Sequence, residues 1–141
     1  MNKLNVSKFS DILRSAGYKT TPPRVLLLEL LDKAKSPMTI KEIMEKTGEE
    51  MDQATAYRAL KKLEGAGLVS QIDFQHGHAH FELAATKEHH HHIVCVKCGK
   101  VEDFTHCDLE EFSKNISKKS RGFSSIKHHS LEFFGICKSC E

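Results

Sequence analysis

The chain has 141 residues, of which 39% are hydrophobic and 28% charged, and its formal net charge is +2. This composition is typical of a folded globular protein and argues against a disordered or fibrous one. The near-neutral charge provides no overall positive field that would by itself indicate nucleic-acid binding. No stretch approaches the roughly 20 apolar residues of a membrane helix, and no export signal is recognisable. We therefore expect a cytoplasmic protein with no membrane partner.

The first half of the chain has the pattern of a helical domain. The spacing of its apolar residues and its stop signals predict helices over 7–16, 21–33 and 39–48, and a fourth between Asp52 and Gly65. Thr39 and Glu42 are spaced as a capping box at the start of the third helix. Asp52 is placed to cap the fourth.

The third and fourth helices are joined by a short connection and resemble a helix-turn-helix. The fourth helix directs a polar and basic face outward, formed by Thr55, Arg58, Lys61 and Lys62. Two strand patterns follow at 68–74 and 79–83, with the alternation of a half-buried hairpin. Helices followed by a hairpin predict a winged-helix DNA-binding domain. A small helical bundle with a hairpin is the alternative.

Two CxxC pairs in the second half form the strongest chemical motif. Cys95 and Cys98 form one pair, Cys137 and Cys140 the other, and Gly99 permits a tight turn after the first. Four thiolates bind zinc tetrahedrally in closed sites that are structural, not catalytic. Two redox dithiols or two disulfides are the alternatives. A reducing compartment disfavours disulfides, and the sequence has no thioredoxin-like βαβ pattern to support redox dithiols. The sequence therefore predicts a structural zinc site.

Four consecutive histidines, His89 to His92, precede the first CxxC pair. In an extended segment His90 and His92 point to one side and His89 and His91 to the other. One run can thus supply ligands to two metal sites, although a solvated polar loop is the alternative. A strand is predicted over Ile93–Val96, just after the run.

Further donors follow in the remaining segment. They are Glu102, Asp103, His106, Cys107, Asp108, Glu110, His128 and His129. The pattern predicts a helix over 108–119 with Leu109, Phe112 and Ile116 inward. It also predicts a strand over 123–136 in which His129 and Leu131 share a face with Phe133. The unpaired Cys107 is interpreted as a small packed residue, with a redox or ligand role as the alternative.

Taken in order, these motifs resemble the ferric uptake regulator family of bacterial metal-responsive repressors. The resemblance is carried by the segments Gly17–Arg24, Ala54–Leu60, Gly65–Val69, Phe81–Leu83, His89–Gly99 and His129–Cys137. It implies an α+β protein with a winged-helix DNA-binding domain at 1–84 and a small α/β dimerisation domain at 85–141. The implied function is metal-dependent repression by a homodimer on palindromic operator DNA, acting on metal-homeostasis or peroxide-stress genes.

The resemblance also assigns residues to roles. The DNA contacts would be Lys19, Arg24, Thr55, Tyr57 and Arg58. The hinge sensing site would use Glu82, His90 and His92, with Asp103 as a further ligand. The dimerisation-domain site would use His89, His91, Glu110 and His129. Packing alone is the alternative role for Tyr57.

One departure from the family pattern concerns the link between the domains. Relatives commonly have a histidine before the third helix, whereas this chain has Ser36-Pro37-Met38 there. His80, which shares a strand face with Glu82, is the first candidate for the replacement, and His78 the second.

The regulatory metal is predicted to be Fe²⁺ or Zn²⁺, with Mn²⁺, Ni²⁺ and Co²⁺ as further candidates. A DNA-binding module with structural zinc only is the main alternative function. A zinc enzyme is disfavoured because neither HExxH nor a deaminase-type motif occurs, so we expect no catalysis and no small organic substrate.

Overall fold

The computed structural model describes residues 3–75, 77–85, 89–105, 108–126 and 129–141, with side chains from Lys8 onward. The chain divides into two compact units, Met1–Lys87 and Glu88–Glu141. None of the helices among the described residues is long and apolar enough to cross a membrane.

The first unit is mainly helical and ends in a hairpin. Its elements are α1 (Lys3–Ser15), α2 (Pro22–Lys33), β1 (Met38–Thr39), α3 (Ile40–Thr47), a 3-10 turn (Gly48–Glu50), α4 (Gln53–Gly65), β2 (Val69–Asp73) and β3 (Ala79–Leu83). The four predicted helices and the two predicted strands are confirmed, with ends that shift by a few residues. The short strand β1 and the 3-10 turn were not predicted.

Both predicted helix caps of this unit are present. The backbone N–H of Glu42 donates to Thr39 Oγ1 at 3.2 Å, and the Thr39 N–H donates to Glu42 Oε2 at 3.3 Å. At α4, the Thr55 N–H donates to Asp52 Oδ1 at 2.7 Å. These bonds satisfy N–H groups that have no partner inside the helix, so they fix where α3 and α4 begin.

The core of the first unit orients α4. Its apolar stripe of Ala56, Leu60 and Leu63 is completely buried, together with Phe9, Leu13, Leu27, Leu28, Ile43 and Leu83. Burial of this stripe leaves the opposite face of α4 in solvent. A three-stranded antiparallel sheet in the order β1-β3-β2 completes the unit, and its β2–β3 hairpin is the wing. The architecture is that of a winged-helix domain.

The second unit is a small α/β fold. It comprises β4 (His91–Cys95), β5 (Val101–Phe104), α5 (Leu109–Lys119) and β6 (Glu132–Gly135), with strand order β5-β4-β6. Strand β4 pairs antiparallel with β5 and parallel with β6. A parallel pair needs a long crossover connection, and α5 lies in that connection.

The predicted strands of this unit need correction. Strand β4 begins at His91, two residues before the predicted start, and β5 was not predicted. The predicted strand over 123–136 is wrong over most of its described length, since among residues 123–126 and 129–136 only Glu132–Gly135 is extended in the sheet. At its start, Ser120 Oγ accepts the N–H groups of Gly122 and Phe123, which makes a turn. His129 and Leu131 lie outside β6.

The predicted inward face of α5 is also wrong for a single chain. Phe112 is 57% exposed and Ile116 is 43% exposed. The helical period does place these apolar side chains on one face of α5, as predicted. A sequence period alone cannot tell whether such a face packs against its own chain or against another one.

Candidate metal centres and nucleic-acid surface

The two CxxC pairs converge on one point. Cys95 ends β4, and the Gly99 N–H donates to the Cys95 carbonyl in a turn where Gly99 has a φ of +78°. The Cys140 N–H closes a similar turn on the Cys137 carbonyl. The four sulfur atoms lie within 4.8 Å of one another, and Cys98 Sγ is 3.7 Å from Cys137 Sγ. Sulfurs around zinc at 2.3 Å are separated by about 3.8 Å, so the arrangement fits that ion.

The protonation of these thiols agrees with a cation site. Backbone N–H groups of Cys137 and Cys98 donate to the Cys95 sulfur and lower its pKa to about 6. The neighbouring thiols Cys137 and Cys98 raise the pKa of Cys140 to about 12. Four thiols this close together cannot all lose their protons unless a positive charge compensates the resulting thiolates. The soft, all-sulfur donor set is the one that zinc accepts.

Three histidines form a second group, here called the imidazole cluster: His89, His91 and His129. His91 Nε2 lies 3.0 Å from His89 Nε2 and 3.1 Å from His129 Nε2. The His91 ring is 3% exposed, and its Nδ1 lies 3.1 Å from the Leu131 carbonyl oxygen. Burial, and next the neighbouring His89, lower the pKa of His91, which favours the neutral ring that a metal requires.

Glu110, predicted as the fourth member of this group, is placed elsewhere. Its side chain is 88% exposed and lies 3.7 Å from Lys114 Nζ, one turn along α5. Among the residues that the structure describes, the group of close donor atoms contains only the three histidines. His106, Cys107 and His128 lie outside the described residues.

The other side of the histidine run carries a second pair. The rings of His90 and His92 are 4.9 Å apart, and His92 Nε2 lies 3.5 Å from Asp103 Oδ1. Asp103 reaches this position because it is the β5 residue opposite His92. The predicted alternation of the run is therefore confirmed: His89 is next to His91, and His90 is next to His92.

The remaining predicted hinge ligands belong to the first unit. Glu82, 7% exposed, lies on β3 opposite Ser70. His80 is on the same strand, with its Nδ1 3.2 Å from the His78 carbonyl oxygen and its ring edge-on to Phe74. Their joining with His90 and His92 of the second unit stays a prediction.

The predicted DNA contacts lie on two segments of the first unit. On α4, Tyr57 is 50% exposed and Arg58 is exposed beside it. In the first turn of α2, Arg24 Nη1 donates to the carbonyl of Lys19, which precedes the helix, at 2.9 Å, and the Arg24 guanidinium lies 5.6 Å from the ring centre of Tyr18. Arg24 thus orders the segment that carries the exposed Lys19.

Two contacts had no sequence signal. Lys61 Nζ donates to Gln71 Oε1 at 2.9 Å, which joins α4 to the wing strand β2. The Leu131 carbonyl orients His91, and a backbone oxygen leaves no trace in a residue pattern.

The winged-helix unit and the metal-ligand groups define the class: a metal-responsive transcriptional regulator. The chain belongs to the Ferric uptake regulator family, which residues 15–134 match. The regulators of this family are not enzymes, which agrees with the absence of a catalytic motif noted above.

Individual relatives are similar over nearly the whole chain. The Ferric uptake regulation protein of Legionella pneumophila is 39% identical, over 94% of this chain and 98% of its own length. The structure of the Helicobacter pylori regulator, described as revealing three functional metal binding sites, has a TM-score of 0.79 at 26% identity, covering 99% of this chain and 97% of that one. The Pseudomonas aeruginosa regulator with manganese has a TM-score of 0.73 at 37% identity, covering 92% and 98%.

Proposed function

We propose that this protein is a homodimeric repressor that binds palindromic operator DNA when its hinge site holds Fe²⁺ or Zn²⁺. The genes it controls would serve metal homeostasis or peroxide defence. The observation that carries the proposal is the histidine run, in a chain that also has a winged helix. His89 lies beside His91 and His90 beside His92, so the run contributes to two separate groups of candidate ligands. Thiol ligands favour a reducing compartment, so the cytoplasm belongs to the proposal.

DNA recognition is assigned to the exposed face of α4 and to the segment before α2. In a helix-turn-helix the second helix enters the major groove, and α4 is that helix here. Tyr57 would contact a base edge or thymine methyl, Arg58 and Thr55 the backbone, and Lys19 the minor groove. Arg24 would hold Lys19 in place through the carbonyl bond.

Dimerisation is assigned to the second unit. Its exposed large apolar residues include Ile93, Val96, Phe112, Ile116, Phe133 and Phe134. Large apolar side chains left in solvent in this number support a protein–protein interface. Two copies related by a twofold axis would present two α4 helices to two half-sites, which explains a palindromic operator.

Regulation is assigned to the hinge ligands. Glu82 and His80 from the wing strand would bind one ion together with His90 and His92, and Asp103 would add an oxygen. A bound ion supplies the attraction that holds ligands of both units in one arrangement. In support of this assignment, His92 Nε2 lies 3.5 Å from Asp103 Oδ1, so the two atoms are close enough to bind one ion together.

The energetics of the switch can be bounded. In the closed arrangement the hinge ligands of both units meet one ion, and in the open arrangement they do not. A change from mostly open to mostly closed protein requires that the ion bind the closed arrangement more tightly by a free energy on the order of 5 kcal/mol. Ligands that meet the ion only in the closed arrangement could supply this difference. The four cysteines would hold Zn²⁺ in both arrangements, so that ion would be structural.

The test is operator binding with a panel of metals. A duplex is selected from a random library with metal-loaded protein, and its affinity is measured by fluorescence anisotropy with Fe²⁺ (anaerobically), Zn²⁺, Mn²⁺, Ni²⁺ or Co²⁺, or with chelator. The regulatory metal should raise the affinity by about 5- to 150-fold. Equal affinity with metal and with chelator would refute the switch.

Two variants locate the effect. His90→Ala should abolish the metal dependence, whereas Asn115→Ala, at an exposed position of α5, should leave it intact. Metal analysis separates the alternative function: two or three ions per chain support a sensor, and one ion per chain supports a module with structural zinc only.

A further inference from the structure

Lys61 lies at the junction between α4 and the wing and makes three contacts there. Its Nζ donates to Glu64 Oε2 at 3.0 Å, one turn further along α4, and to Gln71 Oε1 at 2.9 Å, on strand β2. The same Nζ lies 6.0 Å from the ring centre of Tyr57, one turn earlier on the same face of the helix. One side chain thus connects the proposed base-contacting residue with the wing.

These contacts hold the Lys61 side chain against the protein. It is 42% exposed, compared with 69% for Lys114, which is paired with Glu110 along α5. An ammonium group only donates hydrogen bonds, so the Gln71 amide turns its oxygen toward Lys61. The bond to Glu64 is the main cause that raises the pKa of Lys61, which keeps the ammonium charged at neutral pH.

The positive charge of Lys61 is already compensated within the protein. A lysine that neutralises a phosphate displaces counterions from DNA, and this makes its contribution to affinity depend on salt. Lys61 has the Glu64 carboxylate 3.0 Å from its Nζ, so it has less charge to offer a phosphate than the exposed Arg58 on the same helix. Lys61 is therefore better placed to order the surface of α4 than to bind the DNA backbone.

We propose that Lys61 is a positioning residue for DNA recognition, which fixes the wing relative to α4 and restricts the ring of Tyr57 without contacting phosphate. The proposal rests on the proposed operator binding and adds a determinant of its sequence selectivity. A base contact that is ordered before binding costs less conformational entropy when it forms. Base contacts carry the sequence information and phosphate contacts do not. Loss of this order should therefore weaken the preference for the operator more than the binding to DNA in general.

The substitution Lys61→Met tests the proposal, because it removes the ammonium and keeps an unbranched side chain that suits a helix. Full-length, metal-loaded protein is titrated by fluorescence anisotropy with the selected operator duplex and with an unrelated duplex, each at several salt concentrations. The ratio of the two affinities should fall by about threefold to tenfold, the effect of losing one or two hydrogen bonds. The slope of log affinity against log salt should stay as in the native chain. A slope smaller in magnitude by about 1 with an unchanged ratio would identify a phosphate contact and overturn the proposal.

A second substitution tests the partner of Lys61 on the wing. Gln71→Met removes the acceptor and leaves α4 unchanged, so it should also lower the ratio of affinities. In the double variant the two reductions should not multiply, because both substitutions remove the same bond. Fully multiplicative reductions would overturn the proposal. Lys46→Met removes an exposed lysine of α3 and is the matched control, which should leave the ratio unchanged.

NMR of the free protein gives a readout that does not depend on DNA. The side-chain amide resonances of Gln71 should shift in Lys61→Met and stay in place in Lys46→Met, and unshifted resonances in Lys61→Met would refute the bond. Circular dichroism melts verify that each variant is folded.

The binding data also keep the two proposals apart. If the native chain binds operator only with metal and neither Lys61→Met nor Gln71→Met changes the ratio, the positioning role fails and the repressor function stands. Absence of operator binding by the native chain would refute both.

Discussion

At the scale of single residues, the proposed DNA-binding surface depends on which side chains of α4 remain exposed outside the core. Ala56, Leu60 and Leu63 are buried completely, and the helical period then places Tyr57 and Arg58 in solvent. Hydrogen bonding from Thr55 is the main cause that lowers the pKa of Asp52, and the nearby charge of Arg58 adds a smaller effect in the same direction. A side chain so placed can neutralise a phosphate without any rearrangement of the helix.

The substitution Arg58→Ala tests the phosphate contact. It should weaken binding to operator and to unrelated duplexes alike, because a phosphate contact carries no sequence information. The slope of log affinity against log salt should fall in magnitude by about 1. Arg14→Ala removes an exposed arginine of α1 and is the matched control. An unchanged slope for Arg58→Ala would show that Arg58 does not contact phosphate.

At the scale of elements, α4 depends on the cap at its first turn. The Thr55 backbone N–H donates to the Asp52 carboxylate, and this bond is the main cause of the lowered Asp52 pKa. A carboxylate at a helix N-terminus also meets the positive end of the helix dipole. The start of α4, the proposed recognition helix, is thus coupled to the charge on the Asp52 side chain.

The substitution Asp52→Asn removes this charge, so a comparison with the native chain tests whether the charged cap makes stability depend on pH. The folded pKa lies below 3.8, so the charged cap stabilises the native chain above that pH and loses its effect as pH falls through the folded pKa. The native chain should therefore melt at a higher temperature than Asp52→Asn at neutral pH, and the gap should close in acid. Thermal melts of both proteins, followed by circular dichroism from neutral pH into acid, measure this difference in melting temperature. The titrations of all other groups are common to both proteins and cancel in the difference.

A second variant separates charge from capping. Asn still accepts the Thr55 N–H, whereas Ala cannot. Asp52→Ala should therefore be less stable than Asp52→Asn at every pH. A gap between the native chain and Asp52→Asn that stays constant with pH would contradict the charge argument.

At the scale of the whole molecule, the second unit leaves several of its large apolar side chains exposed. Phe112 and Ile116 lie on α5, and Phe133 and Phe134 lie on β6, all between 38% and 57% exposed. A helix and a strand that both leave apolar surface in solvent fit a unit that completes its core with a second copy. The homodimer proposal assigns that covering role to the partner.

The substitution Phe112→Glu tests this assignment. A buried carboxylate at the centre of an apolar interface should weaken the dimer by about 2 kcal/mol or more, the magnitude of an interface hot spot. Analytical ultracentrifugation would show a shift toward monomer, with circular dichroism to verify the fold. Asn115→Glu adds the same charge at an exposed position of α5 and should leave the dimer intact. A Phe112→Glu protein that remains fully dimeric would exclude α5 from the interface.

Features that depend on neighbours along the chain could be predicted from the sequence. Helix caps act within three or four residues, so Thr39 with Glu42 and Asp52 with Thr55 indicated where α3 and α4 begin. The two-residue period of extended backbone separated His89 and His91 from His90 and His92. The CxxC spacing brought each cysteine pair together in one turn.

Tertiary structure decided what depends on distant partners. The residues after α5 have enough apolar side chains for a strand, yet among those that the structure describes only Glu132–Gly135 pairs with β4, because strand pairing needs a free neighbouring edge. Glu110 lies along α5 with Lys114, while His129 and the Leu131 carbonyl come to His91 from 38 and 40 residues away. The sequence by itself determined which donors exist and their local spacing. The tertiary structure decided which donors meet, because those contacts are set by the packing of strands and helices far apart in the chain.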